Sequence, residues 1–166
     1  VGEILDIGAL RIQEELQDQP QIQVRLLLNI ARVFIGLGMY DEADQLYEKS
    51  VEVSELNLPS SHRLRIVSLA NLAESLAEKG QLSEAEPLIR KALELTETAE
   101  EDEIDRQSLA GILSTLGSAL YHYGSDDEAE KKLRRAIDLY KALPGMESDV
   151  LDPQATLATI LATQDR

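Results

Sequence analysis

This chain of 166 residues has two histidines and no cysteine. The residue types that carry out chemistry do not occur at the spacing of a known catalytic or metal-binding motif. His62 and His122 are far apart, and neither has the serine, cysteine or carboxylate neighbours of a catalytic triad or a metal site. The absence of cysteine excludes a disulfide framework and any thiolate site. The glycines of Gly36-Leu37-Gly38 follow a helical pattern, which indicates a helix stop and not a phosphate-binding loop. We therefore expect a protein that is not an enzyme and that has no cofactor or metal.

Two charged clusters have simple structural interpretations. Residues 94–105 hold seven acidic side chains and no basic one. They lack the spaced ligands and central glycine of a calcium loop, which favours a solvated linker or a frayed helix end. The basic cluster at residues 131–135 follows acidic residues at a spacing of four, which predicts a neutralised helix exterior.

The overall charge and hydropathy limit the possible partners. A formal net charge of −15 disfavours nucleic acid and anionic membrane surfaces. It is compatible with a basic partner, although a solubilising surface is the simpler interpretation. No apolar run approaches the roughly 20 residues of a membrane-spanning helix, so we expect no membrane insertion by this chain.

Apolar residues recur at helical spacing along the chain, most clearly from residue 69 to residue 93. Leucines and alanines at 69, 72, 73 and 76 form one helical stripe, and Gly80 is predicted to end that helix in a left-handed conformation. Ser83 and Glu86 have the spacing of a capping box, and Pro87 is predicted to lie in the first turn of the next helix. So short a connection predicts an antiparallel pair of helices.

The same pattern occurs three times, and this repetition is the strongest signal in the sequence. Eight positions recur with shifts of 42 and then 44 residues. The three copies are Leu27, Ile30, Ala31, Phe34, Gly38, Ala43, Tyr47 and Ser50; Leu69, Leu72, Ala73, Leu76, Gly80, Ala85, Ile89 and Ala92; and Leu113, Leu116, Gly117, Leu120, Gly124, Ala129, Leu133 and Ala136. The chain is therefore predicted to be one domain of stacked helical hairpins.

The repetition also predicts the limits of the units. Complete repeats are expected at residues 21–57, 60–99 and 103–143. Residues 1–18 are expected to be the second helix of a truncated repeat, and residues 150–166 the first helix of another. Because the chain opens on valine and ends in a helical pattern, we interpret it as a piece of a longer protein.

The stretch LANLAESLAEKGQLSEAEPLIRKALEL resembles the tetratricopeptide repeat, in the long-repeat form of kinesin light chains and many bacterial regulators. The stretch GALRIQEELQDQPQIQVRLLLNIARVFIGLGMYDEADQLYEKSV is also similar to repeat regions attached to bacterial serine/threonine protein kinases. The resemblance implies an all-α fold, a right-handed α-solenoid (superhelix) of antiparallel helix pairs with about eight helices. It also implies that the first helix of each pair lines a concave groove, where a peptide or partner domain binds.

Side chains beside the core positions of the first helices are the predicted groove residues. They are Arg25, Leu28, Asn29, Arg32, Val67, Asn71, Glu74, Ser114, Ser118, Tyr121 and His122. The resemblance implies that Asn29 and Asn71 hold a peptide backbone through their amides. Arg25 and Arg32 suit a carboxylate, or alternatively pair with acids on neighbouring helices. The acidic residues of the next unit, including Glu74, disfavour a dicarboxylate clamp.

These observations favour a protein–protein interaction module within a larger bacterial signalling or regulatory protein, such as a serine/threonine kinase. One alternative is a self-association element, and another is the ligand-sensing arm of a transcription regulator or signalling ATPase. Self-association, as a homo-oligomer, would use apolar faces at the two ends of the array. These are Ile4, Leu5 and Ile12 at one end and Leu157, Ile160 and Leu161 at the other. A cytoplasmic location is expected, with an extracytoplasmic part of a membrane-anchored protein as the alternative.

Overall fold

The computed structural model describes residue 16, residues 18–99 and residues 104–164. These residues form helices and their connections, without a strand in the described ranges. The helices are α1 (Pro20–Gly36), α2 (Tyr40–Asn57), α3 (Arg63–Glu78), α4 (Leu82–Thr98), α5 (Arg106–Tyr123), α6 (Asp126–Lys141) and α7 (Leu151–Gln164). The all-α prediction is confirmed. The further helix predicted over residues 1–18 lies almost entirely outside the described residues.

The helices pack as successive hairpins, with α1 against α2, α3 against α4 and α5 against α6. Contacts between hairpins run mainly from α3 to α5, from α2 to α3 and from α7 to α5 and α6. The first helices α1, α3, α5 and α7 therefore lie side by side as one layer, and the second helices form the other layer. This arrangement is the predicted α-solenoid.

Each hairpin turn has the same backbone geometry. Gly80, with φ of +78°, donates its N–H to the carbonyl of Ala77 at 3.0 Å, and Gln81 donates to the carbonyl of Leu76 at 2.9 Å. These are the two bonds of a Schellman motif, in which a left-handed residue ends the helix. Gln81 is also the N-cap of α4, so one residue ends one helix and begins the next. The equivalent glycines, with φ of +75° and +90°, are Gly38 and Gly124.

The predicted capping box is wrong. Because α4 begins directly after Gln81, Ser83 is already inside the helix, and the helix start has no side-chain cap bond. Glu86 instead accepts hydrogen bonds from Arg90, with Nε at 2.9 Å. Pro87 lies inside α4, beyond its first turn. The turn thus fixes the helix start through the backbone alone.

The core follows the repeated pattern. Small residues lie where paired helices come closest, since a larger side chain would hold the axes apart. The fully buried alanines at the repeated positions are Ala31, Ala43, Ala73, Ala85, Ala92, Ala129 and Ala136. Gly117 takes the place of Ala31 and Ala73 in the third hairpin. A Cβ there would lie 2.6 Å from Cγ of Leu133, so α5 and α6 are in backbone-to-side-chain contact at this point.

A partly buried ion pair links the first two hairpins. Nζ of Lys79, the C-cap residue of α3, donates to Asp44 of α2 at 2.6 Å, and Oγ of Ser75 donates to the same carboxylate. Lys79 also contacts Asp41 at 3.0 Å. The two carboxylates raise the pKa of Lys79 above its usual value. They differ in exposure, because the side chain of Asp44 is 11% exposed and that of Asp41 is 87% exposed.

This difference predicts unequal effects of substitution. Asp44→Ala is expected to lower the free energy of unfolding by about 1 kcal/mol, because it removes the acceptor of a buried hydroxyl. Asp41→Ala removes an exposed contact to the same lysine and is expected to change stability within experimental error. Urea unfolding followed by helical circular dichroism measures both. Equal losses from the two variants would contradict this account.

Candidate binding groove

The layer of first helices borders an open cavity of about 940 Å³. Its lining includes Arg25, Leu28, Asn29, Arg32 and Ile35 of α1; Arg63, Leu64, Val67, Ala70, Asn71, Glu74, Ser75 and Glu78 of α3; Gln107, Ser108, Gly111, Ile112, Ser114, Thr115 and Ser118 of α5; and Asp105, Tyr47, Tyr140, Asp149 and Asp152. The wall is therefore mainly polar, with apolar residues between the polar ones.

Most of the predicted groove residues lie around this one cavity. They are Arg25, Leu28, Asn29 and Arg32 from α1, Val67, Asn71 and Glu74 from α3, and Ser114 and Ser118 from α5. The cavity does not include Tyr121 and His122, which lie at the end of α5. Tyr121 is partly buried against the core, with its ring centroid 5.3 Å from that of His122. Binding by these two residues stays a prediction.

The groove arginines and asparagines hydrogen-bond within their own helices. Nη2 of Arg32 donates to Oδ1 of Asn29 at 3.3 Å. Nδ2 of Asn71 donates to the carbonyl of Val67 at 2.8 Å, so the amide oxygen of Asn71 is its available acceptor. Within the described part of the chain, neither Arg25 nor Arg32 has a carboxylate within ion-pair distance. Both side chains are exposed, and their pairing with acids on a neighbouring helix stays a prediction.

Two tyrosines of the second helices also reach the cavity, and the sequence did not predict them. Tyr47 of α2 and Tyr140 of α6 are both buried. Burial raises the pKa of Tyr47 to about 12. The hydroxyl oxygen of Tyr140 lies 3.5 Å from the position that a Cβ would take at Gly111, which is an ordinary contact distance, so this phenol reaches α5.

Acidic residues near the start of α5 and α7 form part of the wall. Asp105 is the N-cap residue of α5, and its carboxylate accepts a hydrogen bond from the backbone N–H of Ser108 at 2.8 Å. The hydrogen bonds with Ser108 lower the pKa of Asp105. Arg63 lies 3.8 Å from Asp105, so this edge of the cavity is electrically balanced. Asp149 and Asp152 were also missed by the sequence interpretation, because it took groove residues only from complete hairpins.

Glu74 is the most perturbed carboxyl group of the cavity. Its burial raises its pKa to about 7, and the nearby charges of Glu78 and Asp152 act in the same direction. A hydrogen bond with Ser118 opposes the shift. Glu74 therefore gains or loses its proton close to neutral pH.

The basic cluster lies on the opposite face, beside a second cavity of about 650 Å³ between α4 and α6. Arg134 pairs with Glu130 at 2.7 Å, at the predicted spacing of four. Lys132 instead pairs with Glu97 of α4 at 3.0 Å. The neutralisation is therefore partly between hairpins, which spacing along one helix could not predict.

The C-terminal end of the array differs from the prediction. Leu157 and Ile160 are buried, because α7 packs them against α5 and α6, and Leu161 is exposed. The prediction that all three form an exposed apolar end is therefore wrong. The corresponding residues at the other end, Ile4, Leu5 and Ile12, lie outside the described residues.

Elsewhere in the described ranges, His62 has a structural role. It caps α3, with Nδ1 accepting from the N–H of Leu64 at 3.2 Å, and burial lowers its pKa. The described side chains include no group of three or more histidine or acidic residues placed to hold a metal. Among the described helices, none combines the length and apolar character needed to cross a membrane.

Comparison with known proteins supports the repeat architecture. The family model of the tetratricopeptide repeat matches residues 23–98. The crystal structure of BtubC (BKLC) from P. vanneervenii is similar over 99% of this chain, with a TM-score of 0.69 and 20% identity, and this chain spans 65% of its length. No curated protein sequence matches the chain.

Two further structures have the same fold. One is the crystal structure of a putative kinesin light chain from Podosopora anserina, with nearly identical TPR-like repeats. The match has 23% identity and a TM-score of 0.54, and it covers 98% of this chain and 88% of that one. The other is the first TPR of Spaghetti (RPAP3) bound to the HSP90 peptide SRMEEVD, with 20% identity, a TM-score of 0.54, and coverage of 86% and 94%. The family model therefore identifies tetratricopeptide repeats over residues 23–98, and the similarity to these solved structures shows that the chain shares their helical-hairpin fold.

Proposed function

We propose that this chain is a non-catalytic interaction module that binds a peptide, or an extended segment of a partner protein, in the groove. Tetratricopeptide repeats are protein–protein interaction modules, and the Spaghetti domain holds a peptide. The observation that carries the proposal is the cavity of about 940 Å³ on the first helices. It presents the guanidinium groups of Arg25 and Arg32 and the amide oxygen of Asn71 to an incoming chain. Such groups recognise carboxylates and backbone N–H groups.

The proposed setting is a larger bacterial signalling or regulatory protein, such as a serine/threonine kinase, with repeats bounded as the sequence predicts. The first third of the chain resembles repeat regions attached to bacterial serine/threonine protein kinases, and this weaker resemblance supports the proposed setting. The flanking sequence tests it, because a neighbouring kinase domain would support the proposal and a DNA-binding domain would favour the regulator alternative.

The binding site can be tested with peptides selected from a random phage-displayed library on the whole chain. Fluorescence anisotropy of a selected peptide measures its affinity. Arg32→Ala and Asn71→Ala are each expected to weaken binding about tenfold, because few residues carry most of the binding energy. Arg135→Ala, an exposed arginine on the opposite face, is the matched control and is expected to leave the affinity unchanged.

Thermal unfolding of each variant shows whether the fold is intact. Binding that is insensitive to both groove variants would overturn the proposed site. Binding that is weakened by Arg135→Ala instead would place the site on the α4–α6 face.

A further inference from the structure

Apart from the pair of Arg63 with Asp105, the charges in the groove are separated, whereas several of those on the rest of the array are paired. On the outside, cations contact carboxylates, as in the pair of Lys132 with Glu97 and that of Lys79 with Asp44. In the groove, Arg25 and Arg32 lie on α1, and the carboxylates of Glu78 and Asp152 lie on α3 and α7. None of these groove groups is in an ion pair within the described ranges. The groove therefore has a basic end and an acidic end.

The boundary between the two ends lies near Tyr47. The charge of Arg32 lowers the pKa of this phenol, while the charges of Glu74 and Asp44 raise it. Glu74 in turn is close enough to Asp152 of α7 for that charge to raise its pKa. The carboxylates of Glu74 and Asp152 thus act on one region, and Arg32 of α1 also acts on Tyr47. The charge separation runs along the axis of the solenoid.

The distance between the ends sets the length of a matching segment. The acidic end extends from α3 to α7. Because neighbouring helices pack about 8–10 Å apart, the middle of this end lies roughly 20 Å from α1. An extended chain advances about 3.3 Å per residue, so roughly six residues cover this distance. Complementary charges at both ends of a segment would fix its direction, because the reversed segment would place like charges together.

Resting on the proposed function, we propose that the groove binds an extended segment in one direction. Acidic residues of the segment contact Arg25 and Arg32, and a lysine or arginine about six residues away contacts the acidic end, at Glu78 or Asp152. The partner is therefore a protein segment of mixed charge, with its acidic and basic parts in a fixed order. The strongly negative charge of the whole chain adds a general attraction for the basic part.

The library-selected peptides test this inference. They are expected to carry acidic and basic residues in one consistent order, about six residues apart. A synthetic copy with the two charged ends exchanged is expected to bind about tenfold more weakly, because both ends then meet like charge. A copy with a neutral residue in place of the basic one is expected to bind about threefold more weakly, the loss of one exposed ion pair.

Two double variants identify the contacting carboxylates. Glu78→Gln with Asp152→Asn is expected to abolish the preference for the basic residue, and both side chains are exposed, so the fold is expected to survive. Glu48→Gln with Glu84→Gln makes the same change in net charge at exposed positions away from both cavities. This control pair is expected to keep the preference. Loss of preference in both double variants would attribute the effect to net charge and overturn the inference.

The pH dependence of binding gives an independent readout. The groups that act on Glu74 are Ser118 of α5, Glu78 on its own helix and Asp152 of α7. Arg32 of α1 and Tyr47 of α2 line the same cavity. Since the pKa of Glu74 is about 7, its negative charge is largely present at pH 8 and largely lost at pH 6. Affinity for the mixed-charge peptide, synthesised without histidine, is expected to fall between pH 8 and pH 6. Glu74→Gln is expected to remove this dependence.

The outcomes separate the two proposals. Peptides that respond to Arg32→Ala and Asn71→Ala but bind equally well with exchanged ends would overturn the fixed direction and leave the groove as the binding site. Selected peptides without a basic residue would do the same. Peptides that respond to neither groove variant would overturn both.

Discussion

Phe34→Ala is expected to lower the free energy of unfolding by about 3–5 kcal/mol, a larger loss than we expect from the other substitutions. Phe34 is the only phenylalanine of the chain, and it is 1% exposed at the end of α1. Alanine would remove most of a buried ring and leave a cavity between helices that are tied by the rigid glycine turn after α1. The walls can close this cavity only in part, so the lost contacts are not recovered. Denaturant unfolding followed by circular dichroism gives the value.

The neighbouring residue provides the control. Val33 is 53% exposed, and Val33→Ala is expected to change stability by no more than about 0.5 kcal/mol. Because solenoids unfold as arrays of coupled units, Phe34→Ala can also separate the unfolding of α1 and α2 from that of the other helices. A loss below about 1 kcal/mol would contradict the role of Phe34 in the core.

Gly117→Ala is expected to destabilise the protein by about 1–3 kcal/mol, although alanine is the better helix former. The added methyl would lie 2.6 Å from Cγ and 2.7 Å from Cδ2 of Leu133, a fully buried side chain. Its Cγ is a branch point and not a mobile tip, and the backbone nitrogen of Leu133 is only 3.4 Å away. Relief of the clash therefore requires α5 and α6 to move apart. Thermal and denaturant unfolding both report the loss.

A second glycine of the same helix is the matched control. At Gly111 an added Cβ would lie 3.5 Å from the hydroxyl oxygen of Tyr140, an ordinary contact distance. Gly111→Ala is therefore expected to stabilise the protein by about 0.5–1 kcal/mol, through the better helix propensity of alanine. If both variants stabilised the protein, the close contact between Gly117 and Leu133 would be disproved.

The sequence predicted the fold well because the same short pattern occurs in every hairpin. The glycine stops are fixed by local backbone geometry, and the prediction of a left-handed residue at Gly80 is confirmed. The capping box failed at Ser83 because its spacing is also found inside helices. The turn had already placed the helix start at the residue after Gly80.

The groove was only partly predictable. Residues such as Asn71 and Ser118 follow from the face of a single helix, so spacing along that helix was sufficient. Tyr47 and Tyr140 enter from the second helices, and this depends on how far a large side chain extends between two neighbours. Asp152 reaches the wall only through the packing of α7 against α5. The repeated residues of one hairpin do not by themselves predict its side-chain contacts with the next hairpin.

The turn in which one residue both ends a helix and starts the next has a consequence for how such arrays vary. From Phe34 to Ala43, and at the corresponding residues of the other two hairpins, the number of residues is the same in every copy. The change of shift from 42 to 44 therefore falls entirely in the connections from one hairpin to the next. Added or lost residues in those connections can alter the pitch of the solenoid and the width of its groove, while each hairpin remains an unchanged building block.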